Sequence, residues 1–326
     1  MRIQPMIDKL GRRITCLRIS VTDRCNLRCT YCMPEEGVPL LPHSEILTYE
    51  EIERIARSAV SLGICNLKVT GGEPLVRKDV ARLIEKLVLI PGVGDVSLTT
   101  NGTLLGSHAE ELFAAGLRRL TVSLDTLDED RFRELTRGGE LRLVLDGIRS
   151  ARRAGFELVK INTVVMRGIN DQEVGDLARW AVSRGLPIRF IEFMPRGEWQ
   201  SAPEELVVRT EETFRRLSAV ERLVPKPRSQ NDTGPVSTYA FEKSGGSIGF
   251  ISAVSEPFCP RCNRLRLTAN GLIKPCLLGE GSIALRELLR SGGSDADIAA
   301  AIRKAVDMKP DGHQQRRCIS MSEVGG

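Results

Sequence analysis

The chain has 326 residues, of which 41% are hydrophobic and 27% are charged, as is typical of a globular protein with a full hydrophobic core. Aromatic residues make up only 4%, which argues against a stacking platform for single-stranded nucleic acid, and no apolar run approaches the roughly 20 residues of a membrane span. The net charge of +5 suits a phosphorylated small substrate as well as a weak nucleic-acid surface, so it does not decide between them.

The N-terminal residues lack the apolar core of a secretory signal peptide, which predicts a cytoplasmic protein with no membrane partner. Thiols stay reduced in that compartment, and disulfides are rare there. The nine cysteines of the chain therefore indicate metal binding rather than disulfide bridges.

Between residues 15 and 195, short β-branched runs alternate with longer amphipathic stretches. The clearest helix is predicted over residues 48–62, because Thr48 and Glu51 match a capping box and apolar residues recur behind them at helical spacing. Glycines stand where helix C-caps are expected. The predicted strands cover residues 15–21, 66–70, 95–100, 118–124, 158–165 and 187–193, and the predicted helices cover residues 48–62, 78–89, 108–115, 129–135, 140–154 and 171–184.

Six βα units of about 30 residues predict a parallel sheet with right-handed crossovers. The predicted fold class is therefore α/β, and a six-unit (βα)6 partial TIM barrel over residues 1–195 fits best, because every strand reads as buried. In such barrels the chemistry lies on loops after the carboxyl ends of the strands. Residues 196–326 are richer in loops, and they are predicted to form a C-terminal α+β extension with a helix over residues 206–217 and a hairpin over residues 237–241 and 246–253.

Three cysteines lie within eight residues directly after the first predicted strand, at Cys25, Cys29 and Cys32. Thiolates at the spacing C-x3-C-x2-C can surround one soft metal centre. A structural zinc site needs four ligands, and no further Cys or His is near in the sequence, whereas an iron–sulfur cluster held by three cysteines keeps one iron open for a small molecule. A zinc knuckle or oxidised surface cysteines are the alternatives.

Two of the other predicted strands also carry candidate functional residues. Gly71 and Gly72 follow the second strand and would let backbone amides approach a ligand beside Glu73, although the same pattern also suits a tight βα turn. Lys160 lies inside the fifth strand, where a buried lysine needs either an ion-pair partner or a bound anion.

A second set of three cysteines, Cys259, Cys262 and Cys276, has the spacing C-x2-C-x13-C. A zinc site would need a fourth ligand, for which His313 and Cys318 are the later candidates in the chain. The sequence therefore favours a second metal centre with an open position and leaves zinc as the alternative.

Arginines next to the second cysteine set form a candidate anion site. Arg264 and Arg266 would share one face of a strand, and two guanidinium groups beside a metal centre suit phosphates. Arg18 lies inside the first predicted strand, where an arginine without an anionic partner is rare. A solvated, charged edge strand is the alternative for the two later arginines.

The first cysteine motif, with the aromatic Tyr31 before its last cysteine, resembles the signature of the radical S-adenosylmethionine family. The segments TGGEPL, TTNG, EFMP and CPRCNRLRLTANG extend the resemblance over nearly the whole chain. The resemblance implies a six-unit partial barrel and two 4Fe–4S clusters, one on each cysteine set. It also implies contacts to S-adenosylmethionine from Tyr31, Gly71, Gly72, Glu73, Ser123 and Met194.

The resemblance is to members of that family that act on GTP in molybdenum cofactor biosynthesis. It implies that a 5′-deoxyadenosyl radical takes the C3′ hydrogen of GTP and that C3′ then attacks C8 of guanine. The terminal Gly325 and Gly326 are expected to assist this step. The arginines expected to act with them are Arg18, Arg264 and Arg266. The residues implied to contact GTP, mostly at its phosphates, are Arg18, Lys68, Thr99, Lys160, Arg264, Leu265 and Arg266.

One position departs from the family pattern, because the family usually has arginine where this chain has Lys68. Lysine keeps the positive charge but loses the planar fork that holds a phosphate through two hydrogen bonds. We therefore expect this phosphate contact to be weaker than in the family.

The expected partners, besides GTP, are an electron donor and a downstream cyclic pyranopterin monophosphate synthase. Homodimer formation stays open, and nucleic acid is not expected as a partner. The alternatives are a peptide-modifying radical S-adenosylmethionine enzyme with an auxiliary cluster and, less favoured, a zinc-dependent nucleic-acid-binding protein. The peptide-modifying enzymes commonly have more C-terminal cysteines than the four found beyond residue 200.

Overall fold

A twelve-stranded mixed sheet organises the chain, and residues near the amino terminus form a separate two-stranded sheet. The structure is a computed structural model that describes residues 6–195, 204–227, 234–279 and 281–312. Within these ranges, no helix combines the length and the apolar character needed to cross a bilayer. The strands are β1 (Met6–Ile7), β2 (Arg13–Ile14), β3 (Cys16–Ser20), β4 (Asn66–Thr70), β5 (Asp95–Thr100), β6 (Arg119–Ser123), β7 (Leu158–Val165), β8 (Ile188–Glu192), β9 (Leu223–Pro225), β10 (Ser237–Phe241), β11 (Gly245–Ile251), β12 (Arg264–Leu267), β13 (Leu272–Lys274) and β14 (Ile283–Ala284), and the helices are α1 (Tyr49–Ser61), α2 (Val80–Val88), α3 (Leu105–Ala114), α4 (Glu129–Thr136), α5 (Leu141–Ala154), α6 (Val174–Ser183), α7 (Thr210–Val220), α8 (Leu285–Arg290) and α9 (Asp295–Asp307).

Strands β3 to β8 form the parallel centre of the large sheet, in chain order. Helices lie between consecutive strands, as parallel connections require. The predicted strands agree with β3 to β8 to within a residue at each end, because their β-branched runs and flanking turn residues are local signals. The α/β class is confirmed.

The helix boundaries are predicted less accurately than the strands. The capping box of α1 is confirmed, since the Thr48 hydroxyl accepts the N–H of Glu51 at 3.1 Å and the Glu51 carboxylate accepts the N–H of Thr48 at 2.8 Å. Helix α6 begins later than predicted, because the Asp171 carboxylate accepts the N–H of Gly168 at 2.8 Å and holds the chain in a turn. Helix α3 begins earlier than predicted.

The C-terminal part of the chain extends the sheet at both edges. Strand β11 pairs in parallel with β8 and then continues into the antiparallel β10 and β9. At the opposite edge β12 pairs in parallel with β3 and continues into the antiparallel β13 and β14. The predicted hairpin is confirmed, whereas α8 and α9 were not predicted. The two segments proposed from the sequence, residues 1–195 and 196–326, share one sheet, and the domain boundary stays a prediction.

The central strands alternate between apolar and polar side chains. In β3, Leu17 and Ile19 are fully buried in the core beneath the helices, and the side chain between them is Arg18. In β4, Leu67 and Val69 belong to the same core and flank Lys68. Because successive side chains of a strand point to opposite faces, the inner face of the sheet is polar and positively charged.

A charged network joins α7 to the segment that follows β7. Arg167 donates to both carboxylate oxygens of Glu212, at 2.9 and 2.7 Å. Arg216 donates to Glu212 at 2.8 Å and to the buried Asp171 at 2.9 Å. Hydrogen bonds from Arg167 and Arg216 lower the pKa of Glu212 to about 2. The network thus ties an early part of the C-terminal region to the parallel sheet.

We expect the substitution Glu212→Gln to lower the free energy of unfolding by about 1 kcal/mol at pH 7, because two arginines lose an ionised partner. The depressed pKa of Glu212 means that this contribution is present above its ordinary pKa of about 4.5 and is lost as the pH falls toward about 2. Urea denaturation of the two proteins between pH 7 and pH 3.5 would show the difference shrinking as the pH falls.

The neighbouring substitution Glu211→Gln is the matched control, since Glu211 is exposed and lies 3.6 Å from Arg215 alone. It should change the free energy of unfolding by a few tenths of a kcal/mol at most. A pH-independent difference for Glu212→Gln would contradict the assigned network.

Candidate active site

One cavity of about 520 Å³ lies along the polar inner face of the sheet. It is lined by Cys32 of the first cysteine set and by Cys259, Cys262 and Cys276 of the second. The first set follows the carboxyl end of β3, whereas Cys262 precedes β12, whose first residue pairs with the first residue of β3. The two cysteine sets therefore lie at opposite ends of the parallel strands, with the cavity between them.

The first cysteine set, Cys25, Cys29 and Cys32, lies on the loop after β3, and none of the three is in a disulfide. Burial, followed by the charges of Cys32, Asp125 and Cys25, holds the pKa of the Cys29 thiol well above its usual range. The Cys25 sulfur accepts hydrogen bonds from the N–H of Leu27 at 3.4 Å and from the side chain of Asn101 at 3.9 Å. The three thiols are neighbours, as ligands of one cluster must be.

The glycine pair after β4 holds this cysteine loop. Gly72 donates its N–H to the Thr22 carbonyl at 2.7 Å, and Glu73 donates its N–H to the Arg24 carbonyl at 2.8 Å. A methyl group on Gly72 would lie 2.3 Å from the carbonyl oxygen of Arg24. The glycines thus allow two loops to pack closely, and Gly71, Gly72 and Glu73 are not among the residues that line the cavity.

The Glu73 carboxylate links the next loop to the same arrangement. It accepts hydrogen bonds from Leu75 N–H at 3.0 Å, Thr100 Oγ1 at 2.7 Å and Asn101 N–H at 2.6 Å. Burial raises the pKa of Glu73 to about 7, against the opposing effect of these hydrogen bonds. One side chain therefore connects the turn after β4 with the turn after β5.

Tyr31 lines the cavity next to the first cysteine set. Its hydroxyl donates to Asp125 at 2.6 Å, and Asp125 also accepts the N–H of Val164 at 2.8 Å. Burial raises the pKa of Asp125 to about 6. Ser123 and Met194 line the same cavity, so three residues expected to contact S-adenosylmethionine lie together.

The second cysteine set has positively charged neighbours. Burial alone would raise the pKa of the Cys262 thiol, but the charges of Lys309 and Arg264 outweigh it and lower the pKa. The Cys276 sulfur accepts the N–H of Leu278 at 3.4 Å. In the parts of the chain that the structure describes, no group of three His, Cys, Asp or Glu side chains is placed to hold a metal ion.

Positive charges are crowded on the inner face of the sheet. Arg18 pairs across the sheet with Lys68 on one side and with Arg266 on the other. Burial and the charge of Arg264 lower the pKa of Arg18 to about 10, and burial with the charges of Arg18 and Arg189 holds the pKa of Lys68 well below its usual range. Such an arrangement is costly unless an anion binds in the cavity.

Several polar atoms also face this cavity without a protein partner. Among the described residues, no hydrogen-bond partner is found for Nη2 of Arg264, Oγ1 of Thr99 or Oδ1 of Asn162, although all three atoms are buried. All three residues line the cavity. Buried polar atoms of this kind indicate a bound polar ligand.

Most of the candidate residues identified in the sequence come together here. Leu265 does not, because its side chain lies in the hydrophobic core on the opposite side of β12, so its predicted role in substrate contact has no side-chain basis. Gly325, Gly326, His313 and Cys318 lie outside the described residues. The expected residues that line the cavity are Arg18, Tyr31, Cys32, Lys68, Thr99, Ser123, Lys160, Met194, Cys259, Cys262, Arg264, Arg266 and Cys276.

Four further cationic residues line the cavity and were missed in the sequence, namely Arg12, Arg119, Arg189 and Lys309. Arg119 forms an ion pair with Asp95 at 3.1 Å. Arg189 lies between the apolar residues Ile188 and Phe190 inside β8. The argument that identified Arg18, an arginine inside a buried strand, therefore also applied to Arg189. Arg12 and Lys309 lie outside the parallel strands, and no local pattern in the sequence marks them.

Comparison with known proteins gives consistent results for both parts of the chain. The model of the radical SAM superfamily matches residues 19–181, and the model described as Molybdenum Cofactor Synthesis C matches residues 186–315. The chain is 48% identical to a GTP 3′,8-cyclase of Pelotomaculum thermopropionicum, with 98% of this chain and 100% of the relative covered. A GTP 3′,8-cyclase of Moorella thermoacetica is 47% identical, with the same coverage.

Among solved structures, the chain is similar to Streptococcus suis SuiB bound to S-adenosylmethionine, with a TM-score of 0.61 and 18% sequence identity. The similarity covers 89% of this chain and 68% of SuiB. At this level of identity the likeness shows a shared fold alone.

We expect the substitution Gly72→Ala to lower the free energy of unfolding of the metal-free protein by about 1–3 kcal/mol, because the new methyl group would collide with the cysteine loop. The reconstituted variant should also hold less iron, since the displaced loop carries Cys25. Urea denaturation and iron analysis test the two effects.

Gly106→Ala is the matched control. Gly106 lies in α3, and a methyl group there would meet no other atom within 4 Å. It should raise the free energy of unfolding by about 0.5–1 kcal/mol and leave the iron content unchanged. Equal stability of Gly72→Ala and the unsubstituted protein would refute the loop-packing role.

Proposed function

The chain belongs to the GTP 3′,8-cyclase family of radical S-adenosylmethionine proteins, and from this we infer how its cavity carries out the family's reaction. With an electron from a reductant, a 4Fe–4S cluster and S-adenosylmethionine would supply the 5′-deoxyadenosyl radical that removes the C3′ hydrogen of GTP. Bonding of C3′ to C8 of guanine, completed by a second electron and a proton, would give the cyclic product used in molybdenum cofactor biosynthesis. The chain's own residues bind, orient and shield the reactants.

The single observation that carries the assignment of roles is the cavity that joins the two cysteine sets across a positively charged sheet face. We propose that β3 to β8 act as a six-unit partial barrel around it and that Cys25, Cys29 and Cys32 hold the first cluster. Tyr31, Ser123 and Met194 then contact S-adenosylmethionine at that end. Cys259, Cys262 and Cys276 would hold a second 4Fe–4S cluster at the other end.

The donor chemistry of both cysteine sets fits iron–sulfur clusters. Each set offers three thiols that are not in disulfides, and backbone N–H groups donate to the sulfurs of Cys25 and Cys276 at 3.4 Å. Hydrogen bonds to sulfur are a common means of tuning such clusters.

The triphosphate of GTP fits the cationic face between the two cysteine sets. Arg18, Lys68 and Arg266 are neighbours on adjacent strands, and burial makes their charges costly in the absence of an anion. Lys160 and Arg189 extend this face toward β8, and Arg264 carries a buried donor for a further oxygen. A polyanion that neutralises several of these charges would be held firmly against the sheet.

Shielding is the second task of the fold. A radical on a primary carbon must form beside its target hydrogen and away from water. The cavity lies along the inner face of the sheet. The loops after the strands are at one end of it, and the second cysteine set is at the other end. The fixed positions of Tyr31 and Asp125, joined by a 2.6 Å hydrogen bond, help to keep the first end ordered.

We further propose a cytoplasmic protein that receives electrons from a separate donor and delivers its product to a cyclic pyranopterin monophosphate synthase. Gly325 and Gly326, which lie outside the described residues, are proposed to assist the radical step. Curated relatives at 48% and 47% identity favour the GTP reaction over a peptide-modifying one.

The function is tested by the release of 5′-deoxyadenosine from the anaerobically reconstituted protein in the presence of dithionite and S-adenosylmethionine. We expect release to depend on GTP and not on ATP. Release that is indifferent to GTP would leave a radical enzyme with a different substrate. An absence of release from protein that contains both clusters would refute the proposed reaction.

We expect Lys68→Met to raise the Kd for GTP at least about tenfold, or about 1.4 kcal/mol, because one phosphate contact is lost. The same substitution should leave the free energy of unfolding of the GTP-free protein unchanged or higher, since it removes a buried positive charge from a crowded face. Isothermal titration with GTP and urea denaturation measure the two quantities.

Lys78→Met is the control, because Lys78 is exposed and lies outside the cavity. It should not change the Kd. Lys68→Arg should bind GTP at least as tightly as the unsubstituted protein, since the guanidinium adds a fork for phosphate. Equal affinity of Lys68→Met and Lys78→Met for GTP would remove Lys68 from the binding site.

A further inference from the structure

Lys309 is a buried lysine that belongs to neither cysteine motif. It lies just after α9 and is 8% exposed. Its ammonium group donates to the carbonyl oxygens of Arg264 and Pro275, both at 2.8 Å, and to the sulfur of Cys262 at 3.6 Å. An ammonium group has three N–H donors, and three acceptors are present around this one.

These contacts connect two segments that carry the second cysteine set. Arg264 begins β12 two residues after Cys262, and Pro275 directly precedes Cys276. One side chain therefore fixes the backbone next to two of the three thiols. Because β12 and β13 form an antiparallel pair, Lys309 holds the end of that pair at which both cysteines lie.

The positive charge of Lys309 lies next to the second cysteine set. Two of its acceptors are neutral carbonyl groups, and the third is the sulfur of a proposed cluster ligand. The nearby Arg12 differs, since its charge is matched by Asp8 at 2.6 Å while it donates to the Cys259 carbonyl at 2.9 Å. Among the described residues, no ion pair between Lys309 and a carboxylate is found, and a buried cation of this kind favours negative charge on its neighbours.

We propose that Lys309 is a positioning residue of the second cluster that ties its two ligand segments together and raises its reduction potential. One-electron reduction adds one negative charge to a 4Fe–4S cluster and breaks no bond, so a nearby buried cation stabilises the reduced form. This inference rests on the second cluster proposed above.

The test uses full-length protein in which Cys25→Ala, Cys29→Ala and Cys32→Ala remove the first cluster. Iron and sulfide are counted after anaerobic reconstitution, and the remaining cluster is titrated with dithionite while its paramagnetic signal is recorded. In this background Lys309→Gln, which keeps an N–H donor but no charge, is compared with Lys309→Arg. Lys304→Met is the control, since Lys304 is exposed on α9.

We expect Lys309→Gln to shift the midpoint potential to more negative values. The parent is the protein with the three cysteine substitutions and no change at Lys309. At the midpoint potential of the parent, the ratio of reduced to oxidised cluster in Lys309→Gln should be at least about threefold lower. This ratio corresponds to a shift of about 30 mV, because a tenfold change corresponds to about 59 mV for one electron. The midpoint potential of Lys309→Arg should lie closer to that of the parent, and the midpoint potential of Lys304→Met should equal it. Loss of iron in Lys309→Gln with retention in Lys309→Arg would equally support the role.

Full iron content and an unchanged potential in Lys309→Gln would overturn the role of Lys309 while leaving the second cluster in place. An iron-free parent protein that is nevertheless folded would overturn the second cluster and, with it, the inference about Lys309. The two failures are therefore distinguished by the iron content of the parent.

Discussion

Like charges buried side by side are the constraint on which this structure depends. Arg266, Arg18 and Lys68 lie on three adjacent strands, and burial and mutual repulsion lower the pKa of each of them. The three side chains line the cavity, so the surrounding core must hold like charges close together on its wall. The apolar residues that alternate with them, such as Leu17 and Leu67, anchor the same strands beneath the helices. The crowded charges thus lower the stability of the sheet, but they are already in place before an anion binds.

The two ends of the cavity are held by different means. At the first end, contacts between neighbouring loops dominate: Gly72 packs on Arg24, and Glu73 reaches the turn after β5. At the second end, Lys309 and Arg12 act from segments that are remote in the sequence. The charges also differ, since acidic Asp125 is near Cys29 whereas basic Lys309 is near Cys262.

Local signals explain how much could be predicted from the sequence. The strands, the capping box at Thr48 and both cysteine sets were identified because each depends on residues close together in the chain. Leu265 was assigned to the substrate although the alternation that exposes Arg264 and Arg266 to the cavity turns it toward the core. Lys309 could not be found, because its acceptors lie up to 47 residues away and meet it only through tertiary packing.

The pairing of β12 with β3 has a consequence for the order of folding. Arg12 and Cys259, which this pairing brings together, are 247 residues apart, and β8 likewise acquires its partner β11 late in the chain. During synthesis the parallel strands emerge with both edges of the sheet unpaired, which exposes them to wrong association. Strand β12, which emerges late, also brings Arg264 and Arg266 toward Arg18, so its pairing with β3 proceeds against electrostatic repulsion. This pairing joins strands that are far apart in the sequence, and contacts of such long range form slowly during folding.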